Sequence, residues 1–515
     1  MKPFARKYRD ILIAAALALA VMLLTGAVLD CSHNWGDDFA AYFLEGIALG
    51  EGNFNGQVRL NYALHNKLDP RQDYGQDYIY AWGYPLLLSA VNRIVGFDRT
   101  DYSSVVYYKI PGLVFLGLFA AILYLLLRRR LETPASILLT VLFCTCTMMT
   151  DYTNSVLTEV VFIAMTYLTF FLSEKLTEQT DKKKRILTAV FLGIALWYTY
   201  EVRLNGIVVL LCVALNLLVS RVPFRGNRPG KKDAVYLLPF AVFVVLFVLF
   251  DFFIIGHASS KTSDFSRTSV SVFFRNAKTY YEAMYEWLHS MILHLHGGGR
   301  SFSRILVTGM VVVSFLLFAV GVVSDGFRKK NLYLTVYCLG SFIGTCLLPY
   351  SQWIRYIVML LPVFMLYAAC GIRWILGKIC KKGKGRLKGK TARILAVGLT
   401  ACAVVYAVFP LARSAFLRGG NWGVHGFYAY SSDARKAYRF IQENTEPDCV
   451  IQCNQHRALL LNTGRLTIHT AGDTSVADYY MHIEECSDAE QFSESEFEEI
   501  LRTDTVILYR RNGTA

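Results

Sequence analysis

Asp37 and Asp38 stand side by side just after the first apolar run, in HNWGDDFAAYFLEGIALGEGNF. Adjacent carboxylates opening a helix read in two ways. They can cap it, accepting backbone N–H bonds at the positive end of the helix dipole. They can also serve as a general base, or organise a cation or an acceptor. Other polar residues interrupt apolar stretches further on. Glu159 lies one turn into an apolar run in NSVLTEVVF, and Asp151 precedes it in MMTDYTN. Arg203 breaks the run YTYEVRLNG two residues after Glu201, and Arg355-Tyr356 opens IRYIVMLLPVFMLYAACG. Ionisable groups at membrane depth are costly and usually have a task. The bland readings are an interfacial carboxylate facing headgroups and arginines that snorkel to lipid phosphates. The functional reading is a carboxylate set with two guanidiniums able to clamp a phosphate through paired N–H bonds.

The elements that must position these residues are transmembrane helices. The 515 residues are 54% hydrophobic and only 18% charged, and the apolar residues come in blocks near twenty long. That is the length needed to cross a bilayer, where a helix satisfies its own backbone hydrogen bonds. Eleven spans are expected, near 10–30, 108–127, 135–150, 156–173, 186–199, 204–220, 234–256, 305–324, 331–348, 354–376 and 393–411. The first reads as an uncleaved helix behind a basic N-terminus, because it lacks a small-residue cleavage site.

Charge placement sets the expected orientation. The net charge of +14 does not point to nucleic acid, because the tail from Ser431 is acidic and the basic residues crowd short linkers. Arg128-Arg129-Arg130, Lys182 to Arg185 and the run KICKKGKGRLKGK alternate with cation-poor loops holding Arg203 and Arg355. By the positive-inside rule the N-terminus is cytoplasmic, and the loops at 31–107 and 257–304 and the tail are outside. Asp37, Glu159, Arg203 and Arg355 then share the outer side. The tail alternates helical and strand patterns and reads as a small α/β module. In it, 448–453, 465–469 and 505–509 suit strands, and 431–444, 455–462 and 493–503 suit helices.

Weaker signals complete the inventory. Tyr74, Tyr78, Tyr80, Trp82 and Tyr84 fit an interfacial aromatic belt, with sugar stacking as the alternative. His294 and His296 stand two residues apart, which is not one helical face, so no metal site is expected there. The 12 cysteines show no metal-type spacing and suit small core positions, with Cys449 free to pair with Cys453 or Cys486. The sequence has no P-loop and no nucleophile elbow in a suitable context.

Taken together, the motifs resemble the GT-C superfamily of membrane glycosyltransferases, and within it glycosyltransferase family 39, with the protein O-mannosyltransferases and lipid A aminoarabinose transferases. The resemblance rests on Asp37-Asp38 followed by Tyr42 and LEGIALGEG, on Gly83-Tyr84-Pro85, on Glu159 in SVLTE, and on Arg355-Tyr356 with Pro362. It covers about residues 10–411, and the second acid is Asp where relatives often have Glu. It implies a polytopic α-helical protein of GT-C type: a catalytic part at 1–411 and an extracytoplasmic α/β domain at 412–515. It implies inverting transfer of a sugar from a polyprenyl-phosphate donor to a protein, lipid or glycan acceptor on the outer face of the cell membrane. By carry-over, Asp37 is the base with Asp38 beside it, and Glu159 positions acceptor or donor. Tyr42, Tyr84, Asp151 and Tyr356 fall to substrate binding. Arg203 and Arg355 hold the donor phosphate. Some superfamily members use a divalent ion, so the resemblance leaves a cation at Asp37-Asp38 open. The alternative class is a lipid or polysaccharide transporter, which would show two similar halves or broken helices; the sequence has no internal repeat.

Overall fold

A computed structural model describes residues 3–31, 38–78, 80–99, 102–221, 231–254, 269–293, 300–348, 353–382, 431–483 and 496–513, with isolated positions between 398 and 412. The apolar blocks fold as helices. These are α1 (Pro3–Gly26), α2 (Asp38–Glu51), α3 (Phe54–Asn66), α4 (Gly83–Val95), α5 (Val105–Arg128), α6 (Thr133–Cys144), α7 (Thr147–Thr153), α8 (Glu159–Glu178), α9 (Lys182–Val202), α10 (Gly206–Arg221), α11 (Leu238–Phe247), α12 (Val270–Leu293), α13 (Arg300–Gly321), α14 (Leu332–Cys346) and α15 (Leu361–Lys382).

Among the described residues seven helices are long and apolar enough to cross a membrane, or eight if the bent pair α6–α7 is one span. The shorter apolar helices α10 and α14 stand beside them. The chain is a polytopic α-helical membrane protein. The first ten expected spans fall on these helices, the third (135–150) across the bent pair α6–α7, and the eleventh, 393–411, lies almost wholly outside the described residues. The first loop holds α2, α3 and α4; α2 and α4 fall on its short apolar stretches at 39–49 and 85–95.

The backbones of α13 and α15 approach very closely where the two helices cross. A Cβ on Gly321 would stand 1.8 Å from the Tyr367 carbonyl oxygen, and one on Gly371 would stand 2.1 Å from that of Leu317. Two glycines let the backbones touch, as small residues do between helices in lipid. A second tie joins the start of the bundle. The buried Lys109 of α5 donates to the Asp30 carbonyl at 2.7 Å and to Asn154 Oδ1 at 3.0 Å, fixing α1 and α7 against α5. A buried amine of this kind is retained because its donors are used.

The tail folds as two helices on a five-stranded sheet. Its helices are α16 (Ser432–Asn444) and α17 (His456–Thr463), and its strands are β1 (Val450–Gln452), β2 (Leu466–Ile468), β3 (Tyr479–Ile483), β4 (Phe497–Arg502) and β5 (Val506–Arg511). The order is β2-β1-β3-β5-β4, with β1 parallel to β2 and β3, and β5 antiparallel to β3 and β4. Ser431 caps α16, its hydroxyl accepting from the Ala434 N–H at 3.0 Å. One expectation fails here. The stretch 493–503 has helical spacing, yet Phe497–Arg502 is a strand. The pairing with β5 slips between Glu499 and Leu501, so one extra residue is absorbed as a bulge. That bulge breaks the two-residue alternation and leaves a spacing that mimics a helix. Cys449 and Cys453 are buried thiols rather than a disulfide, and Cys486 lies outside the described residues.

The module rests on the first loop. Ala458, Leu460 and Leu461 of α17 join the main apolar core with Leu64 and Tyr80. Arg71 donates to the Val476 carbonyl at 3.0 Å and pairs with Asp478 at 3.7 Å.

The glycine contact gives a direct check. Gly321→Val or Gly371→Val should prevent accumulation of monodisperse protein in detergent, whereas Gly340→Ala, whose added methyl meets nothing within 4 Å, should behave as wild type on size exclusion.

Candidate active site

Three distant segments meet at one end of the helical bundle. Glu159 is the first residue of α8 and is almost completely buried, at 1% exposed. Arg203 follows α9 in extended conformation, φ −154° and ψ 134°, before α10 starts at Gly206. The turn is tight: a Cβ on Gly206 would lie 2.6 Å from Tyr200 Cα. The polar break in YTYEVRLNG is therefore a real corner, and it turns the Arg203 guanidinium onto Glu159. Arg355 sits in the 3-10 turn Trp353–Tyr356 ahead of α15.

Two guanidiniums share one carboxylate oxygen. Arg203 Nη1 donates to Glu159 Oε1 at 2.6 Å, and Arg355 Nε donates to the same oxygen. Arg355 Nη1 reaches a second acid, Asp38 Oδ2, at 2.6 Å. Arg355 thus bridges the first turn of α2 to the first turn of α8. Burial disfavours the charge on Arg355, but Glu159, Tyr42 and Asp38 together outweigh it and hold its pKa well above the usual range. Arg203 behaves alike: burial opposes its charge, and Glu159 more than restores it. Both side chains stay cationic.

Aromatic rings wall this cluster. Tyr42 meets Tyr80 and Tyr84 edge-on, each at 5.5 Å between centroids. Burial first, then Asp38, pushes the Tyr42 phenol well above its ordinary pKa, so it remains a neutral donor. Tyr356 and Phe162 lie under the Arg203 guanidinium at 5.6 and 5.9 Å. Cation–π packing of this kind orients a guanidinium without consuming its N–H donors.

The expected residues distribute unevenly. Asp38, Glu159, Arg203, Arg355, Tyr42, Tyr84 and Tyr356 come together. Asp151 is exposed on α7, next to the buried Tyr152. Asp37 lies outside the described residues, immediately before α2, as do His294 and His296. The aromatic stretch departs from a lipid-facing belt, because Tyr80, Trp82 and Tyr84 are buried inside the protein. Two polar anchors hold it there. Glu45 Oε1 accepts from the Tyr80 N–H at 3.2 Å and from Asn61 at 2.8 Å, and Trp82 Nε1 donates to Asp251 at 2.8 Å. Glu45 was unremarked in the sequence, although a charge inside the apolar helix FAAYFLEGIAL is itself a signal. Arg457 also escaped notice. It arrives from the C-terminal module and lies over Tyr80 at 5.6 Å.

Two carboxylates, Asp38 and Glu159, balance the two guanidiniums of Arg203 and Arg355. Among the described residues no three His, Cys, Asp or Glu side chains converge as metal ligands, and both Asp38 and Glu159 are engaged by arginine.

No model of a known protein family matches the chain, and no curated protein matches it in sequence. Solved structures do. The oligosaccharyltransferase of Archaeoglobus fulgidus, tethered with an acceptor peptide, superposes with a TM-score of 0.57 at 12% identity, over 92% of this chain and 69% of its own. ArnT from Cupriavidus metallidurans, bound to undecaprenyl phosphate, superposes with a TM-score of 0.54 at 12% identity, over 98% of both chains. The chain has the GT-C fold. The GT-C assignment agrees with the order of motifs read in the sequence, and at such identities it carries the fold alone.

Arg355→Lys keeps the charge but cannot bridge two carboxylates with separate N–H groups. It should lower unfolding stability by about 1.5–3 kcal/mol, the worth of a hydrogen bond to a charged group. A double-mutant cycle with Glu159→Gln, followed by thermal unfolding in detergent, should return a coupling of similar size.

Proposed function

We propose that this chain is an inverting glycosyltransferase that moves a sugar from a polyprenyl-phosphate donor to an acceptor on the outer face of the membrane. The observation that carries the reading is the convergence of Arg203 and Arg355 on the buried Glu159 at one end of the bundle. A lipid phosphate meets a protein only at the membrane boundary, and two guanidiniums fixed there suit its charge. Bound undecaprenyl phosphate in ArnT, and dolichol-phosphate in a further structure of the Archaeoglobus fulgidus oligosaccharyltransferase, support a lipid-linked donor. In this reading residues 1–411 form the catalytic part, the N-terminus is cytoplasmic, and the module at 412–515 is extracytoplasmic.

The reaction follows from the assigned groups. Asp37 accepts the proton of the acceptor hydroxyl. The freed oxygen forms its bond to the anomeric carbon as the bond from that carbon to the phosphate oxygen breaks. The electron pair leaves with the polyprenyl phosphate, and attack opposite the leaving group inverts the anomeric centre. Arg203 and Arg355 neutralise the departing phosphate, as preorganised donors do in a low-dielectric site. Each guanidinium carries five N–H donors, so holding Glu159 occupies only part of each. Glu159 orients the pair. Asp38 ties Arg355 to the helix that Asp37 precedes, which links base and phosphate clamp. Tyr42 and Tyr84 shape the sugar side of the site, and Asp151 lies at its margin.

Asp37→Asn should reduce sugar transfer by about 10²–10⁴-fold, the worth of a general base, with insertion and donor binding preserved. Mass spectrometry of envelope glycans and glycoproteins, with and without the chain, identifies the product. Unaltered transfer by D37N would assign the base elsewhere.

A further inference from the structure

The far end of α15 carries a second, separate cluster of charge. α15 spans 22 residues, about 33 Å at 1.5 Å per residue. Arg355 precedes its start, and a cavity of about 260 Å³ opens beside its end. The cavity lies just past the glycine contact. Past Gly321 the chain of α13 widens into a π turn, Val322–Gly326, and the void lies between that turn and the last turns of α15.

Its lining is cationic around one buried acid. Asp325, 4% exposed in its side chain, pairs with Arg328 Nη1 at 2.7 Å and with Arg373 Nη2 at 3.5 Å. It also accepts from Asn331 Nδ2 at 3.2 Å. Lys378 adds a third cation and lies over the Trp374 ring at 5.3 Å. One carboxylate cannot neutralise three cations, so the cavity keeps a positive excess. Asp325 instead acts as a post that fixes the two guanidiniums. Their outer parts remain accessible, with Arg328 63% and Arg373 52% exposed.

Position decides the ligand. The cavity stands at the ends of two candidate spans, Thr308–Gly326 and Val358–Lys378. That is headgroup depth, and Trp374 beside Lys378 is the pairing of ring and amine found there. Basic pockets between helix ends at this level recognise phosphate headgroups. We propose that the Asp325–Arg328–Arg373–Lys378 cavity binds the phosphate of an anionic membrane lipid, on the face opposite the Glu159 cluster. The bound lipid pins α13 to α15 beyond their glycine crossing.

The test compares the full chain with Arg328→Ala/Lys378→Ala, which spares Arg373 because that residue also donates to the Arg130 carbonyl at 2.6 Å. Both proteins are melted in detergent with added phosphatidylglycerol, phosphatidylcholine or inorganic phosphate. Equal melting without additive establishes that the variant folds. Phosphatidylglycerol should then raise the melting temperature of wild type more than phosphatidylcholine does. Its apparent affinity should fall by about an order of magnitude or more in the variant. Inorganic phosphate reproducing the full shift would overturn the lipid source. An equal shift in wild type and variant, or equal response to both lipids, would overturn the site.

Discussion

The ion pair between Arg355 and Glu159 fixes more of this protein than any other contact. It joins residues 196 apart in the chain and buries both partners almost completely. Removing one partner of such a pair leaves an unpaired buried charge, which costs several kcal/mol; both arginines bond Glu159 through Oε1, and its Oε2 is buried with no hydrogen-bond partner. Arg203 supplies a second donor to Glu159, and Asp38 supplies a second acceptor to Arg355. The four groups therefore stand or fall together, and with them the angles at which α2, α8, α10 and α15 enter the bundle.

The same network explains why the first-loop helices lie where they do. Asp38 draws the start of α2 toward Arg355, and Tyr42, one turn along, is carried against Tyr80 and Tyr84. Glu45, a further turn on, holds the Tyr80 backbone. The C-terminal module then closes over this layer through Arg457 and the apolar face of α17. The site is thus built from the membrane bundle, the first loop and the tail, each contributing at least one charged or aromatic side chain.

Much of this was legible in the residues. Apolar blocks of span length show where helices run, and a charge inside such a block stands out because lipid penalises it. Glu159, Arg203 and Arg355 were visible for that reason. Their partnership was not, because Asp38 and Arg355 are 317 residues apart and no local pattern encodes so distant a contact. Tyr80 and Trp82 were misplaced to the lipid boundary because aromatic composition cannot distinguish an interfacial ring from one buried by an anchored loop. The strand Phe497–Arg502 was hidden by its bulge, which turns a strand's alternation into a helix's spacing. The tight corner at Gly206 could be sensed as a polar break, but its function, aiming Arg203, needs coordinates.

Arg203 and Arg355 are the proposed cradle for a lipid phosphate. The most direct measurement is a structure of the full chain with added polyprenyl phosphate. Phosphate density is expected within hydrogen-bonding distance of Arg203 and Arg355, with Glu159 still between them. Phosphate density confined to the opposite end of α15, beside Arg373 and Lys378, would contradict it.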